Sequence, residues 1–490
     1  MRRIALAILA MTIALRPGQA RADLAADIKT VLLDKLLSKA EVGIEIVKLG
    51  GTPETSTVVF KHESDLPLIP ASNLKIITTS AALDALGAGF RFRTLLVKHG
   101  EDLILVGDGD PTLGDIDLLK KVGWDATTVF RNWADALKAK GITTVGNVLV
   151  DDSVFDENTL HPRWPADQLP LRYCAEVGGV NLNTNVVGFY MIANGKGDYC
   201  THRTEPPTEY VTVKDACLAA GDNAIRIARQ PGTNHITLSG TCPQSTGAPV
   251  WVTIHDPAMF ATTVLAETLK ANGITMTGKV ARDRTARAEL AKLVAGKPAT
   301  NPTDWQPIAA HETPLSQVLA RANKDSMNLY AECLCKRLGF AVSGQSGSWE
   351  NGTAAVGAFL TKTGVPEAEF SLDDGCGLSK QNRISPNAMV HVLMYDYFSD
   401  NRQAFFSSLS IAGSDGTLEH RFTNGDLKGR IFGKSGFVKG VSSLSGYLEG
   451  RDGNWYAFSI LMNGIPELSN SAIKPLQEAI VRAVDRNAGK

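Results

Sequence analysis

The 490-residue sequence has no excess of positive or negative charge, which argues against partners that are bound mainly through charge. It contains 50 Lys and Arg against 51 Asp and Glu, for a net charge of −1, and it shows no evident basic face. Nucleic acid is therefore not an expected partner. The nine His include no pair spaced as H-x-x-x-H, so the sequence does not indicate a metal enzyme, and no metal or other cofactor is expected.

Long apolar runs are missing beyond the N-terminus, so we expect no integral membrane span. The start of the chain is different. Arg2 and Arg3 precede a short apolar segment, Ile4–Leu15, and the tripeptide Ala20-Arg21-Ala22 fits the small-x-small rule for cleavage. These features predict a secretory signal peptide over residues 1–22, cleaved after about Ala22, and an exported, periplasmic protein. No Cys follows the apolar run, so a lipid anchor is not expected.

Cysteine is sparse, with seven residues in the whole chain. Export permits disulfides in a cluster of four, whose three pairings the sequence leaves open: Cys174, Cys200, Cys217 and Cys242. A zinc site is the weaker alternative, because no C-x-x-C is present. Cys333 and Cys335 are two residues apart on a predicted helix and should point to different sides, and Cys376 is the odd thiol.

Strand-like and helix-like segments follow one another in three blocks along the mature chain. Residues 23–88 combine strands with a helix, residues 89–303 are rich in short strands, and residues 304–490 are mainly helical before strands return. A segment rich in Pro, Gly and Asn marks the second boundary. We therefore predict one α+β domain, formed by 23–88 and 304–490, that is split by a β-rich insertion over 89–303.

The tetrapeptide pattern S-x-x-K occurs twice. Ser72-Asn-Leu-Lys75 begins an apolar helical stretch, whereas Ser471-Ala-Ile-Lys474 precedes Pro475 and is typical of a helix start. A Lys one turn after a Ser shares its helix face and can activate the hydroxyl as a nucleophile. A plain N-cap is the alternative for Ser72. Serine enzymes that react with β-lactams need S-x-x-K, S-x-N and K-[ST]-G in that order.

The second and third motifs also occur more than once, so local context must select among them. Ser326-Met-Asn328 lies at a turn between helical runs, and Lys434-Ser435-Gly436 lies in a strand whose edge could receive an extended substrate. Lys362-Thr363-Gly364 is instead typical of a helix C-terminus. Ser385-Pro-Asn387 and Ser399-Asp-Asn401 are typical of helix N-caps. The set in order is Ser72/Lys75, Ser326/Asn328 and Lys434/Ser435.

The flanks of these motifs resemble the D-alanyl-D-alanine carboxypeptidase/endopeptidase family, the low-molecular-mass class C penicillin-binding proteins. The resemblance runs from about Val42 to Ile473. It rests on the segments "VGDGDPTL", "NKDSMNLYAE", "DDGCGLSKQNRISP", "AGSDGTLEHRF" and "GKSGFVKGVSSLSGYL". It implies a split transpeptidase/serine β-lactamase-like domain with two inserted domains, one at about 171–250 nested within 89–303. The sequence departs from the family pattern at two positions. Met327 is the middle residue of S-x-N, a position that the chemistry does not use. Cys376 stands where the family usually has Ser, and its effect stays open.

The resemblance also implies an acyl-enzyme mechanism on D-alanyl-D-alanine. Ser72 would attack the peptide carbonyl while a neutral Lys75 takes its proton, and burial together with the charge of Lys434 would lower the pKa of Lys75. The backbone N–H groups of Ser72 and Phe437 would form the oxyanion hole. Water would then release the acyl group. A β-lactam would acylate the same Ser72 and leave slowly.

The other implied roles concern substrate binding. Ser326 would relay a proton to the leaving amine, Asn328 would hold the substrate amide, and Lys434 with Ser435 would bind the terminal carboxylate. Asp151, in the segment "LVDDSVFD", would bind an amine of the peptidoglycan peptide stem, with a solvated turn as the alternative. The oligomeric state stays open.

Two other functions compete with a peptidase. One is a β-lactamase or esterase of the same fold, which would need a second carboxylate base that the sequence does not offer. The other is a non-catalytic peptidoglycan-binding protein, against which the intact Ser72, Lys75 and Lys434 argue.

Overall fold

The computed structural model describes residues 23–297, 304–466 and 470–489, so the signal peptide predicted over 1–22 lies outside the described residues. The strands are β1 (Glu41–Lys48), β2 (Thr57–His62), β3 (Arg91–His99), β4 (Asp102–Val106), β5 (Thr144–Val145), β6 (Val148–Asp151), β7 (Val186–Ile192), β8 (Thr201–Glu205), β9 (Thr212–Leu218), β10 (Ala224–Arg229), β11 (His235–Thr241), β12 (Val250–Thr253), β13 (Thr275–Met276), β14 (Val280–Arg282), β15 (Trp305–Pro314), β16 (Phe370–Ser371), β17 (Arg383–Ile384), β18 (Ser410–Ile411), β19 (Ile431–Val438), β20 (Val441–Glu449) and β21 (Trp455–Asn463). The α-helices are α1 (Leu24–Leu32), α2 (Leu74–Leu86), α3 (Ile116–Leu119), α4 (Thr128–Ala139), α5 (Pro257–Ala271), α6 (Ala286–Val294), α7 (Leu315–Asn323), α8 (Asn328–Ser343), α9 (Trp349–Lys362), α10 (Pro386–Phe398), α11 (Arg402–Ser408) and α12 (Asn470–Asn487).

Both ends of the chain contribute to one six-stranded antiparallel sheet, in the order β18-β19-β20-β21-β1-β2. Its central strands β20 and β21 are buried along nearly their whole length, which is typical of a sheet covered on both faces. Helices α1 and α12 share a core with one face, whereas α2 and α10 share a core with the other. The predicted α+β domain, with strands from both ends in one sheet, is confirmed.

The inserted region has its own mixed five-stranded sheet, in the order β14-β6-β4-β3-β15. β15 pairs antiparallel with β3, from Trp305 opposite His99 to Pro314 opposite Arg91. The insertion therefore ends at Pro314, and the catalytic domain resumes at Leu315 rather than at 304. The Pro/Gly/Asn-rich segment marks a loop correctly, but the last strand of the insertion follows that loop.

A smaller β unit lies within the insertion. It contains two three-stranded sheets, in the orders β12-β7-β8 and β10-β11-β9, which together span Val186 to Thr253. All seven cysteines are buried free thiols. Cys200, Cys217 and Cys242 share the core of this unit, whereas Cys174 packs in a separate core. The four cysteines are thus not one cluster, and the question of which of them could pair stays open.

Three short segments from the sequence analysis occupy the helix ends expected for them. Lys362 is the last residue of α9, and Gly364 after it has a positive φ of +90°. Ser385 caps α10 by accepting from Ala388 N, with Pro386 at the first helical position. Ser399 follows α10 and accepts from Asn401 N before α11 begins. Cys333 and Cys335 face different cores, also as predicted.

The apolar stripe of α12 belongs to the protein core. Ile473, Ile480 and Val484 are buried with residues of α1 and the main sheet. Core packing, the commoner use of such a stripe, is therefore its role here. In the parts of the chain that the structure describes, no helix has the length and hydropathy that crossing a bilayer requires.

Candidate active site

The Ser72 turn lies at the N-terminal end of α2, against the main sheet. Residues Ala71–Asn73 form a 3₁₀ turn, and α2 after it is buried from Leu74 to Leu83, polar side chains included. Ala71 has a φ of +47°, an uncommon conformation for a residue with a Cβ. Asn73 Nδ2 donates to the carbonyl of Lys434 at 2.7 Å. The turn is therefore fixed directly to strand β19.

Gly436 permits the close approach of β19 to this turn. A Cβ at that position would lie 2.3 Å from Ser443 Oγ, 2.9 Å from Ser72 N and 3.0 Å from Asn73 N. The two shorter separations are too close for a carbon atom, and one of them is to the backbone of Ser72. The third residue of K-[ST]-G is thus required by the space between the strand and the Ser72 turn.

Lys75 lies among three hydrogen-bonding groups. Its Nζ is 2.9 Å from Ser72 Oγ, 2.7 Å from Asn328 Oδ1 and 2.8 Å from the carbonyl oxygen of Cys376. The amide of Asn328 is oriented by its other end, because Nδ2 donates to the carbonyl of Tyr173 at 2.8 Å. The first and second motifs are therefore in direct contact, and the insertion touches them through Tyr173.

Lys434 joins the third motif to the second. Its Nζ donates to Ser326 Oγ at 2.8 Å and to the carbonyl of Ser435 at 2.7 Å. Ser326 itself has a φ of +56°, the second positive φ of a non-glycine residue at this site. Backbone strain of this kind persists only where the surroundings enforce it, and it is common at functional sites.

Both lysines are fully buried, and burial lowers the pKa of each below 10.5. For Lys434 the charge of Lys75 lowers the pKa further. For Lys75 the neighbouring Cys376, Asp374 and Glu332 act in the opposite direction to burial. The expected depression of the Lys75 pKa is present, and burial is its largest cause.

A cavity of about 330 Å³ opens directly over Ser72. Its lining includes Ser72, Ser326, Ser435, Gly436 and Phe437. A separate cavity of about 390 Å³ lies in the nested β unit and is lined by other residues. The side chain of Phe437 is at the surface, with the residue 45% exposed. Strand β18 covers only Phe432 and Gly433 of β19, so within the described residues no strand pairs with the β19 edge beyond Gly433.

The cavity over Ser72 is also lined by Arg421 and Lys474, which lie outside the three motifs that mark the site in the sequence. The Arg421 side chain is only 5% exposed, and its Nε donates to Glu478 Oε1 at 3.0 Å while NH2 donates to the carbonyl of Lys474 at 3.2 Å. A buried guanidinium beside the Ser435 strand adds positive charge where an anion can bind. Its only signal in the sequence is its place in the segment "AGSDGTLEHRF".

A group of buried acids, which no sequence motif marks, lies behind Lys75. Ligand atoms of Glu332, Asp374 and Cys376 lie within 4.8 Å of one another. The carboxylate oxygens already accept N–H groups, among them Cys376 N at 2.7 Å from Glu332 Oε1 and Gly377 N at 2.7 Å from Asp374 Oδ1. Lone pairs directed at N–H donors suit an anion held by the backbone rather than a set of cation ligands.

The expectation for Asp151 is not met in this structure. Its carboxylate is fully buried and accepts from Ser153 N at 2.9 Å and from Arg287 N at 2.6 Å, at the start of α6. Asp152 beside it pairs with Arg282 at 3.2 Å and Arg284 at 3.1 Å. Because the acceptors of Asp151 face the backbone, it is neither a solvated turn nor open to a peptide amine.

Comparisons with known proteins identify the family to which this site belongs. Residues 24–487 match the sequence profile of the D-Ala-D-Ala carboxypeptidase 3 (S13) family. The chain belongs to this family. A "D-alanyl-D-alanine carboxypeptidase" from Actinomadura sp. (strain R39) is 32% identical over 96% of this chain and 86% of the relative. A "D-alanyl-D-alanine carboxypeptidase DacB" from Haemophilus influenzae is 24% identical over 88% of this chain and 87% of the relative.

A solved structure supports the fold. The "penicillin binding protein 4 (dacB)" of Haemophilus influenzae superposes with a TM-score of 0.76 at 22% identity, covering 94% of this chain and 99% of that one. The predicted family, the split α+β fold and the class of serine-type D-Ala-D-Ala carboxypeptidase are thereby confirmed. The roles of the individual residues remain predictions.

Proposed function

We propose that the protein is a periplasmic serine D,D-peptidase that cleaves D-alanyl-D-alanine bonds of peptidoglycan through an acyl-enzyme on Ser72. It acts as a carboxypeptidase on peptide stems, and cross-links between stems offer it a second bond of the same chemistry. Family membership and the relatives named as carboxypeptidases support the substrate class. The local geometry of Lys75 supports the mechanism.

The observation that carries the proposal is the set of atoms around Lys75 Nζ. A neutral amine has two N–H donors and one lone pair. Asn328 Oδ1 at 2.7 Å and the Cys376 carbonyl at 2.8 Å can only accept, so they take the two hydrogens. Ser72 Oγ at 2.9 Å can donate, so its hydrogen faces the remaining lone pair. This is the arrangement of a general base with its nucleophile.

Acylation then proceeds with a balanced transfer of one proton. Ser72 Oγ bonds to the carbonyl carbon as its proton passes to Lys75, and the carbonyl oxygen accepts from the backbone N–H groups of Ser72 and Phe437. Ser326 Oγ, held by Lys434 Nζ at 2.8 Å, passes its proton to the leaving nitrogen as the C–N bond breaks and takes up in its place the proton that Lys75 accepted from Ser72. Water hydrolyses the ester and regenerates Ser72.

Substrate recognition uses the open edge of β19 and the positive charge beside it. An extended peptide can pair with the strand edge beyond Gly433, as in β-strand addition. The terminal carboxylate of the peptide is bound by Lys434, Ser435 and Arg421. Arg421 lines the cavity over Ser72 together with Ser435. Asn328 Nδ2 has one hydrogen left after its bond to Tyr173, and this hydrogen holds the substrate amide.

β-Lactams are expected to acylate Ser72 as substrate analogues. A structure of the Haemophilus influenzae penicillin binding protein 4 is described as complexed with a β-lactam, which supports this extension. Fast turnover of the resulting ester would need a carboxylate free to activate water. The buried Glu332 and Asp374 have their oxygens directed at N–H donors, so we expect the β-lactam ester to persist.

The test measures acylation and peptide cleavage together. Wild type should gain the mass of one benzylpenicillin in intact-mass spectrometry and should release D-alanine from a peptide ending in D-Ala-D-Ala. Ser72→Ala should lose both activities, whereas Ser471→Ala, which alters the other S-x-x-K, should keep both. Labelling of the Ser72→Ala protein would overturn the assignment. Rapid loss of the penicillin adduct, with steady hydrolysis of the drug, would favour a β-lactamase.

A further inference from the structure

Glu332 lies on the same face of α8 as Asn328, one turn further along the helix. It is fully buried, and both of its carboxylate oxygens are occupied. Oε1 accepts from Cys376 N at 2.7 Å, Oε2 accepts from Trp349 Nε1 at 2.7 Å, and Gly375 N lies 3.1 Å from both oxygens. A carboxylate with three N–H donors holds the backbone around it tightly.

The backbone that Glu332 holds is the one that contacts Lys75. The two N–H groups belong to Gly375 and Cys376, and the carbonyl of Cys376 accepts from Lys75 Nζ at 2.8 Å. Helix α8 thus reaches the amine by two routes. Asn328 binds it directly at 2.7 Å, and Glu332 acts through the Cys376 peptide. The lone pair of Lys75 points at Ser72 only if both acceptors stay in place.

The rest of this loop is held from the other side. Asp374 accepts from Gly377 N at 2.7 Å, Ser379 N at 2.6 Å and Trp164 Nε1 at 3.1 Å. Gly377 packs so closely on the Ser72 turn that an added Cβ would lie 1.9 Å from the carbonyl oxygen of Ala71. The loop therefore positions Lys75 and the Ser72 turn at once.

Charge adds a second effect to this geometry. Burial raises the pKa of Glu332 to about 7, and the neighbouring Asp374 acts in the same direction. A negative charge on Glu332 in turn raises the pKa of Lys75. The ionisable groups that interact with Glu332 or Lys75 from the packed elements are Asp374, Cys376, Cys333, Cys335, Lys336 and Lys434.

We propose that Glu332 is a positioning residue of this site, which fixes the Cys376 carbonyl against Lys75 and so directs the amine at Ser72. The inference rests on the proposed acylation of Ser72 and adds to it. Glu332 lies outside the motifs S-x-x-K, S-x-N and K-[ST]-G. What connects it to the site is its contact with the loop that contains Cys376.

The test uses Glu332→Gln and measures the second-order rate of benzylpenicillin acylation from pH 5 to pH 10. Glutamine keeps the size of the side chain, but its NH₂ meets an N–H donor and displaces the loop. We expect a rate loss on the order of 10²-fold, as for a reacting group moved by about 1 Å. Loss of the negative charge lowers the pKa of Lys75, so the acid limb of the profile should also move to lower pH.

Glu369→Gln is the matched control. Glu369 is also a buried acid of the catalytic domain, 8% exposed, and accepts from Ser385 Oγ and from Asn387 Nδ2 at 3.0 Å, away from Lys75. Its substitution should lower the unfolding temperature without moving the acid limb. A purely structural role for Glu332 would give the same result for both variants, and this outcome would overturn the proposal.

A milder variant keeps the test decisive if Glu332→Gln does not fold. Trp349→Phe removes the donor to Glu332 Oε2 and so favours its neutral form. The acid limb should shift in the same direction as in Glu332→Gln, by a smaller amount. An unmoved acid limb in a folded Trp349→Phe protein would also count against the proposal. If wild type itself is not acylated at any pH, the proposed function fails instead, so the two failures are distinguishable.

Discussion

Two copies of the tripeptide K-[ST]-G occupy opposite environments in this protein. Lys434 is fully buried within strand β19, where burial lowers its pKa well below 10.5. Lys362 ends helix α9 with its side chain 57% exposed, and its hydrogen bond to Asp84 at 2.8 Å raises its pKa. The same three residue types thus give a perturbed lysine beside a cavity in one case and a helix terminus in the other.

The difference shows what the tripeptide needs in order to act. Lys434 donates to Ser326 of the second motif, and Gly436 lets the strand approach Ser72 of the first. Lys362 is tied to a single, partly buried carboxylate, that of Asp84, and Gly364 only supplies the positive φ that ends a helix. The chemistry therefore depends on contacts with the other two motifs, which the tripeptide alone does not provide.

The sharpest way to break this comparison is to remove each lysine. Lys434→Ala should slow acylation of Ser72 by about 10²–10⁴-fold, because a proton relay and a carboxylate contact are lost together. Lys362→Ala removes an exposed ion pair and should leave the rate unchanged. Stopped-flow or quenched labelling with a fluorescent penicillin measures both. Equal rates in the two variants would mean that the buried strand does not carry the reaction.

The two glycines provide a second pair of variants. At Gly436 a Cβ would lie 2.9 Å from Ser72 N, so Gly436→Ala should displace the Ser72 turn and slow acylation on the order of 10²-fold. At Gly364 the nearest atom is 4.0 Å away, so the cost is limited to a φ of +90°. Gly364→Ala should lose about 1 kcal/mol of stability and no acylation rate. A slow Gly364→Ala enzyme would contradict the contrast.

Sequence alone predicted the parts of the site that lie within short motifs. Ser72, Lys75, Ser326, Asn328 and Lys434 all belong to these motifs. In the structure Lys75 contacts Ser72 and Asn328, and Lys434 contacts Ser326. Their spacing along single elements, one helical turn or one strand repeat, is visible in the order of residues. The fold class was equally visible, since the strands at both ends of the chain had the composition of a buried sheet.

What sequence did not predict depends on contacts between distant segments. In the sequence, Glu332 is one acidic residue in a helix of mixed polarity. Its burial against the loop at 374–379, whose N–H groups it accepts, is visible only in the structure. Asp151 ends a strand, and sequence does not reveal that α6 begins against its carboxylate. Strand β15 follows a Pro/Gly/Asn-rich loop, and its pairing with β3 decides which domain it joins.

The pH dependence of stability sharpens the comparison of the lysines. The folded pKa of Lys434 lies below 10.5, so its charge destabilises the fold at low pH, and the penalty shrinks as pH rises toward 10.5. Any stability gain of Lys434→Met over wild type should therefore fall by up to about 1.4 kcal/mol per pH unit within that window. Urea unfolding at pH 7 and pH 9.5 measures it.

Lys362→Met is the control for this prediction. A raised pKa means that the contribution of the Lys362 charge is fully present between pH 7 and pH 9.5 and is lost only as pH rises above 10.5. Because the side chain is exposed, the contribution should be below about 1 kcal/mol. The difference between this variant and wild type should thus be flat from pH 7 to pH 9.5. A matching slope in both variants would refute the assigned pKa directions.

Asp151 extends the comparison to a buried acidic side chain that lies outside the cavity over Ser72. Asp151 is as buried as Lys434, yet its carboxylate only accepts from Ser153 N and Arg287 N. Asp151→Asn turns one acceptor into a donor beside those N–H groups. We expect a loss of about 1–3 kcal/mol in the free energy of unfolding, as for a buried hydrogen bond left unmade.

The effect of Asp151→Asn on the reaction rates is expected to be the smallest of all. It also distinguishes most clearly between a structural role of Asp151 and a role in substrate recognition. Since Asp151 faces the start of α6 rather than the cavity over Ser72, Asp151→Asn should leave benzylpenicillin acylation unchanged. It should equally leave kcat/KM unchanged for a peptide stem that carries a free amine. Both rates are measured on wild type and variant under conditions where each is folded. A loss confined to the amine-bearing peptide would return Asp151 to substrate recognition, and would require the loop after β6 to open when substrate binds.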